Sequence, residues 1–92
     1  MNKLFDITGN VTVITGGTGV LGRAIAEYLA LEGAKVIILG RKEDVGNTIA
    51  SEIIAKGGCC EFMKTDVMDR DAVKKNCDDI LARYGRIDTL LN

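Results

Sequence analysis

The chain alternates short apolar runs with longer stretches in which apolar residues recur at helical spacing. Four runs are strand candidates: "VTVIT" (11–15), "KVIIL" (35–39), "CCEFM" (59–63) and "IDTLL" (87–91). The first two are Val/Ile-rich almost throughout, as in strands covered by helices on both faces. Three helical patterns lie between them. Leu21, Ala24, Ile25, Tyr28 and Leu29 form the first stripe; Val45, Ile49 and Ile53 form a thinner second one; Val73, Asn76, Cys77, Ile80, Leu81 and Tyr84 form the third. Each pattern stops at glycine: Gly33, then Gly57-Gly58, then Gly85. Glycine ends helices well because it takes the left-handed conformation without a Cβ clash. Asp69 is a candidate N-cap for the third helix.

The order strand-helix-strand-helix-strand-helix-strand (β-α-β-α-β-α-β) predicts an α/β fold. Helical crossovers imply a parallel sheet with right-handed connections. The expected strand order is 3-2-1-4, with the first two helices on one face and the third on the other. The winding direction then reverses between strands 1 and 4, and ligands bind outside the carboxyl ends of the strands at such a point.

The stretch "VITGGTGVLGRAIAEYLA" (13–30) begins there. Gly16, Gly19 and Gly22 are three apart. Gly16 suits a sharp turn out of the strand, Gly19 a close approach of backbone to a pyrophosphate, and Gly22 close packing of helix on strand. The helix start would aim free N–H groups and a positive dipole at phosphates, and the Thr18 hydroxyl can donate to them. A tight turn without a ligand is the plainer reading of the same glycines. At the end of strand 2, where NAD-preferring folds carry Asp or Glu, stand Gly40, Arg41 and Lys42. A carboxylate there would repel a 2′-phosphate, whereas a guanidinium pairs with one through two parallel hydrogen bonds. NADP is therefore favoured over NAD, against the plain alternative of solvated loop charges.

Composition trims the possibilities. At 92 residues the chain has room for one small domain, and 47% hydrophobic content is enough for a core. The net charge of -1, with both signs scattered, argues against nucleic-acid binding. No apolar run approaches the roughly 20 residues of a membrane span, and "MNKLFDITGN" is not a signal peptide. Three cysteines, Cys59, Cys60 and Cys77, read as free thiols in a reducing, cytoplasmic setting. Without histidine or ligand spacing, no metal site is expected.

Taken in order, "TGGTGVLG" (15–22), "GAKVIILGR" (33–41), "KTDVMD" (64–69) and "YGRIDTLLN" (84–92) resemble the short-chain dehydrogenase/reductase family over the whole chain. The resemblance implies a Rossmann-like fold. Thr15, Gly16, Thr18, Gly19, Leu21 and Gly22 would surround the pyrophosphate of NADP, and Arg41 would meet its 2′-phosphate. Asp66 would accept from the adenine amino group with the Val67 backbone alongside, although a plain turn role is open to Asp66. Asn92 matches the first asparagine of the family's Asn-Asn-Ala-Gly stretch, beside the adenosine ribose.

Two departures bear on function. Val20 stands where the common family turn has glycine, and the middle glycine comes one place earlier, at Gly19. That spacing is similar to the extended, epimerase-containing branch and to a minority of compact members, some of them sugar-acid oxidoreductases. "GRIDTLLN" and "TDV" favour the compact branch. Moreover, the family's catalytic Ser, Tyr and Lys lie beyond the Asn-Asn-Ala-Gly stretch. Tyr28 and Tyr84 both read as core residues, and neither has lysine four positions on. The expectation is thus the N-terminal, cofactor-binding part of an oxidoreductase for a small-molecule substrate. This part carries no catalytic residues of its own, and the parent is expected to be a homo-oligomer. A non-catalytic nucleotide-binding module and an epimerase-like member are the alternatives.

Overall fold

The computed structural model describes residues 7–16 and 18–91. Its elements run β1 (Val11–Thr15), α1 (Val20–Leu31), β2 (Lys35–Gly40), α2 (Glu43–Ala55), β3 (Cys59–Lys64), α3 (Arg70–Tyr84) and β4 (Thr89–Leu91). The four strands form one parallel sheet in the order β3-β2-β1-β4. The α/β fold and the strand order are those expected from the sequence. Strand 4 starts two residues later than its apolar run, because Asp88 turns both its backbone N–H and its carboxylate to β1. The Asp88 N–H donates to Val11 O at 2.8 Å, and Asp88 Oδ2 accepts the Val11 N–H at 2.8 Å.

Alternation along the strands divides the core in two. Ile14, Val36, Ile38 and Cys60 point to one face and pack with Ala26 and Ala30 of α1 and Ile49, Ala50 and Ile53 of α2. Val11, Val13, Ile37 and Leu39 point to the other and pack with Ile80 of α3. The first two helices therefore cover one face and the third covers the other. Gly33, Gly57 and Gly85, which follow the helices, all have positive φ. Asp69 caps α3, with Oδ1 accepting the N–H groups of Asp71 at 3.0 Å and Ala72 at 3.2 Å.

The buried helix faces differ from those the spacing predicts. In α1 the buried residues are Ala26 and Ala30, whereas Leu21 is 73% and Tyr28 64% exposed. Ala24 is exposed as well. Small residues let the helix approach the sheet closely, which rotates the large ones onto a flank. That flank faces away from α2, because Arg23 and Glu27, on the opposite side of α1, pair with Glu52 and Lys56 of α2. Tyr28 is accordingly no core residue, while Tyr84 packs partly buried below the second core. Val45 and Leu81 are likewise exposed, and Gly46 takes the inner place in α2. A Cβ on Gly46 would overlap the Phe62 ring, so α2 starts in contact with β3.

All three cysteines are free, with Cys60 buried and Cys59 exposed. Burial pushes the Cys60 thiol up to about 11. Among the described residues no helix is long and apolar enough to cross a membrane, and no three acidic or cysteine side chains group as metal ligands.

Candidate functional site

The carboxyl ends of the strands meet on one edge. The register sets Thr15 beside Leu39 and Gly40 beside Lys64, so β1, β2 and β3 finish nearly level. The Thr15 hydroxyl donates to Leu91 O at 3.3 Å and ties the ends of β1 and β4 together across the point where the winding reverses.

From Thr15 the chain turns at Gly16, whose φ of 72° lies in the left-handed region. Its N–H donates to Leu39 O at 3.2 Å, and the Gly19 N–H donates to Gly16 O at 3.4 Å. Gly19 is the N-cap of α1, in extended backbone (φ -76°, ψ 170°), with no side-chain cap and no acidic residue in the first turn. The start of α1 therefore points its first amides outward, without a carboxylate to meet them. Among the described residues a Cβ built on Gly19 would meet only Gly16 O, at 3.9 Å, so they leave the space before these amides open. Leu21 flanks it, exposed, and Gly22 is half-buried one residue deeper. The Thr18 methyl reaches over the end of β2, 3.7 Å from where a Cβ on Gly40 would stand. Backbone donors with no side chain before them are chemically suited to a phosphate group.

Beside the glycine turn, at the start of α2, Arg41, Lys42, Glu43, Asp44, Val45 and Lys64 line an open concavity of about 400 Å³. Arg41 is exposed there. On the next loop the Thr65 N–H donates to Gly40 O at 2.7 Å. The Thr65 hydroxyl is buried and accepts from Asn76 Nδ2 of α3. These contacts hold the segment that carries Asp66 and Val67. Asp66 is exposed; its Oδ1 accepts the Met68 N–H at 3.0 Å, and its carbonyl accepts the Asp69 N–H at 3.0 Å. Asp66 thus serves the turn with one carboxylate oxygen and keeps the other clear of hydrogen bonds among the described residues. Val67 packs against the second core. Asn92, assigned to the ribose, lies outside the described residues, as does Gly17.

The structure therefore brings the glycine turn, the Arg41 segment and the Asp66 loop to one edge. It places no tyrosine there. The Tyr84 hydroxyl donates to Glu61 Oε1 at 3.3 Å, and its ring lies 5.4 Å from Lys35 Nζ at the opposite, amino end of β2. Burial and the neighbouring Glu61 carboxylate raise its pKa. Glu61 also holds Arg83 in a two-pronged pair at 2.7 and 2.8 Å. Asn76 was visible in the sequence only as part of an apolar stripe. Its bond to Thr65 depends on α3 packing under the loop, which no spacing along the chain reveals.

Known proteins share this fold. The model of the short chain dehydrogenase family matches residues 10–92. An uncharacterized oxidoreductase, UxuB, of Bacillus subtilis is 41% identical over 87 residues, which are 95% of this chain and 31% of that protein. A metagenomic short-chain oxidoreductase solved in complex with NADP superposes with a TM-score of 0.88 at 34% identity, over 94% of this chain and 39% of the other. An NAD+-bound xylitol dehydrogenase gives 0.86 at 28% identity, over 94% and 33%. The chain spans about a third of the length of the curated relatives it matches. With the family model matched over residues 10–92 and the fold and strand order shared with its solved relatives, the chain belongs to the short chain dehydrogenase family.

Proposed function

We propose that residues 1–92 are the N-terminal, cofactor-binding part of an NADP(H)-dependent oxidoreductase. That parent enzyme interconverts a carbonyl and an alcohol on a small-molecule substrate. The observation that carries the reading is the uncapped, acid-free start of α1 behind a glycine turn at the sheet's switch point. The nicotinamide, when bound, supplies the hydride chemistry. The chain's own residues hold and orient. The turn Thr15–Gly16 and the open ground before Gly19 admit the pyrophosphate to the first amides of α1, with Thr18, Leu21 and Gly22 around it. Arg41 offers its fork to the 2′-phosphate, Asp66 accepts from the adenine amino group beside Val67, and Asn92 lines the ribose. The Gly19 spacing supports a sugar acid as substrate class. Three free thiols support a cytoplasmic setting. The parent is a homo-oligomer in this reading.

This chain alone holds a nucleotide and turns nothing over, because both tyrosines lie away from the strand ends: Tyr28 on the flank of α1, Tyr84 at the amino end of β2. Calorimetric titration tests the proposal. NADPH is expected to bind more tightly than NADH, and Arg41→Asp is expected to abolish that preference. An unchanged preference in Arg41→Asp would remove the 2′-phosphate role. Steady oxidation of NADPH by the purified chain with any carbonyl would overturn the non-catalytic assignment.

A further inference from the structure

We propose that Lys64 is a second specificity-determining cation for the adenosine 2′-phosphate, acting with Arg41 across the start of α2. The inference rests on the NADP reading above and adds a residue that lies 23 positions from Arg41 in sequence. Sheet register brings the two together. Gly40 pairs with Lys64, and the Thr65 N–H locks onto Gly40 O, so the end of β3 is fixed against the residue that precedes Arg41. Side-chain direction follows from strand alternation. Phe62 packs in the first core, against Gly46 of α2, and Lys64, two residues on, points to the same side. There it lines the concavity of about 400 Å³ with Arg41 and Lys42.

Cations without an ion pair gather in this cluster, whereas Lys35, Arg70 and Lys75, which also hold no carboxylate among the described residues, stand elsewhere along the chain. Arg23, Lys56, Lys74, Arg83 and Arg86 each hold a carboxylate. Among the described residues, Arg41, Lys42 and Lys64 hold none, although Glu43 and Asp44 share the same wall. Those two carboxylates sit in the first turn of α2, where they complement its dipole. Three cations against two carboxylates leave the concavity positive. Gly40 supplies no side chain to fill its inner end, and a phosphate monoester carries close to two negative charges at neutral pH. Arg41 gives the planar fork; Lys64, a point charge on a flexible stem, completes the neutralisation from the other side.

The test is calorimetry of the full chain with adenosine 2′,5′-bisphosphate and with ADP as probes. The wild-type chain is expected to prefer the bisphosphate. Lys64→Gln should weaken the bisphosphate about fivefold, the scale of one partly exposed charge pair, and leave ADP unchanged. Lys64→Arg should restore the preference. Lys64 is exposed at the end of an edge strand, so an unaltered melting temperature in Lys64→Gln will show that folding is intact. If Lys64→Gln keeps the full preference while Arg41→Gln loses it, the Lys64 assignment is overturned and the NADP reading survives. If the wild-type chain binds both probes equally, both fall.

Discussion

Helix α1 follows Gly19, which has no side chain to offer, whereas α3 follows Asp69, whose carboxylate accepts the amides of Asp71 and Ala72. Both capping residues have extended backbone, and both helices run away from the carboxyl end of a strand. Yet α3 has an acidic residue, Asp71, in its first turn, α2 has Glu43 and Asp44, and α1 has none. A side-chain cap contributes about 1 kcal/mol to a helix, and a favourable first-turn charge adds about 0.3–1 kcal/mol. Stability alone would therefore place Asp or Ser at position 19, which has backbone angles any residue adopts and open space before it. One helix start is thus finished by a side chain of the protein, and the other has amides free for an anion under the proposed function.

Gly19 separates the two helix starts most sharply. Gly19→Asp supplies the missing cap and sets a negative charge where the pyrophosphate would lie. It should weaken NADPH by about 100-fold or more, since lost charge-assisted amide bonds cost about 1.5–3 kcal/mol and like-charge repulsion adds to that. The same change should raise the melting temperature through the new cap. Calorimetry and thermal unfolding on one sample check both directions. An intermediate effect of opposite kind is expected at the other helix. Asp69→Ala should cost about 1 kcal/mol of stability in denaturant titration and leave NADPH affinity within about twofold, since the lost carboxylate is engaged by the amides of α3 and not by the nucleotide.

The smallest effect serves as a control at the far end of the sheet. Asp88 has its pKa lowered by hydrogen bonding to Arg86 and by the Val11 N–H. A carboxyl held below its usual range contributes stability that is present above the unfolded pKa and lost as pH falls through the folded value. Acidification through and below the ordinary carboxylate range should therefore lower the melting temperature of the wild-type chain slightly more than that of Asp88→Asn. Their NADPH affinities at neutral pH should coincide.

Much of this was legible along the chain. Val/Ile runs and glycine stops mark elements because strand burial and helix termination are local requirements, and the glycine turn and Arg41 are each contiguous. The face of α1 was not legible. Hydrophobicity ranks Leu21, Ile25 and Tyr28 above Ala26 and Ala30, yet a helix seated closely on a sheet turns its smallest residues inward. The approach of Lys64 to Arg41 and the bond of Asn76 to Thr65 also escaped, since each depends on sheet register or helix docking rather than on sequence spacing.

Under the proposed function the first amides of α1 hold a dinucleotide's pyrophosphate. Amide-resolved NMR of the 15N-labelled chain during titration with NADPH addresses it directly. The resonances of Gly19, Val20, Leu21 and Gly22 should shift together and saturate, while those of Asp71 and Ala72 at the capped start of α3 stay in place. Saturation binding with the α1 amides unmoved would contradict it.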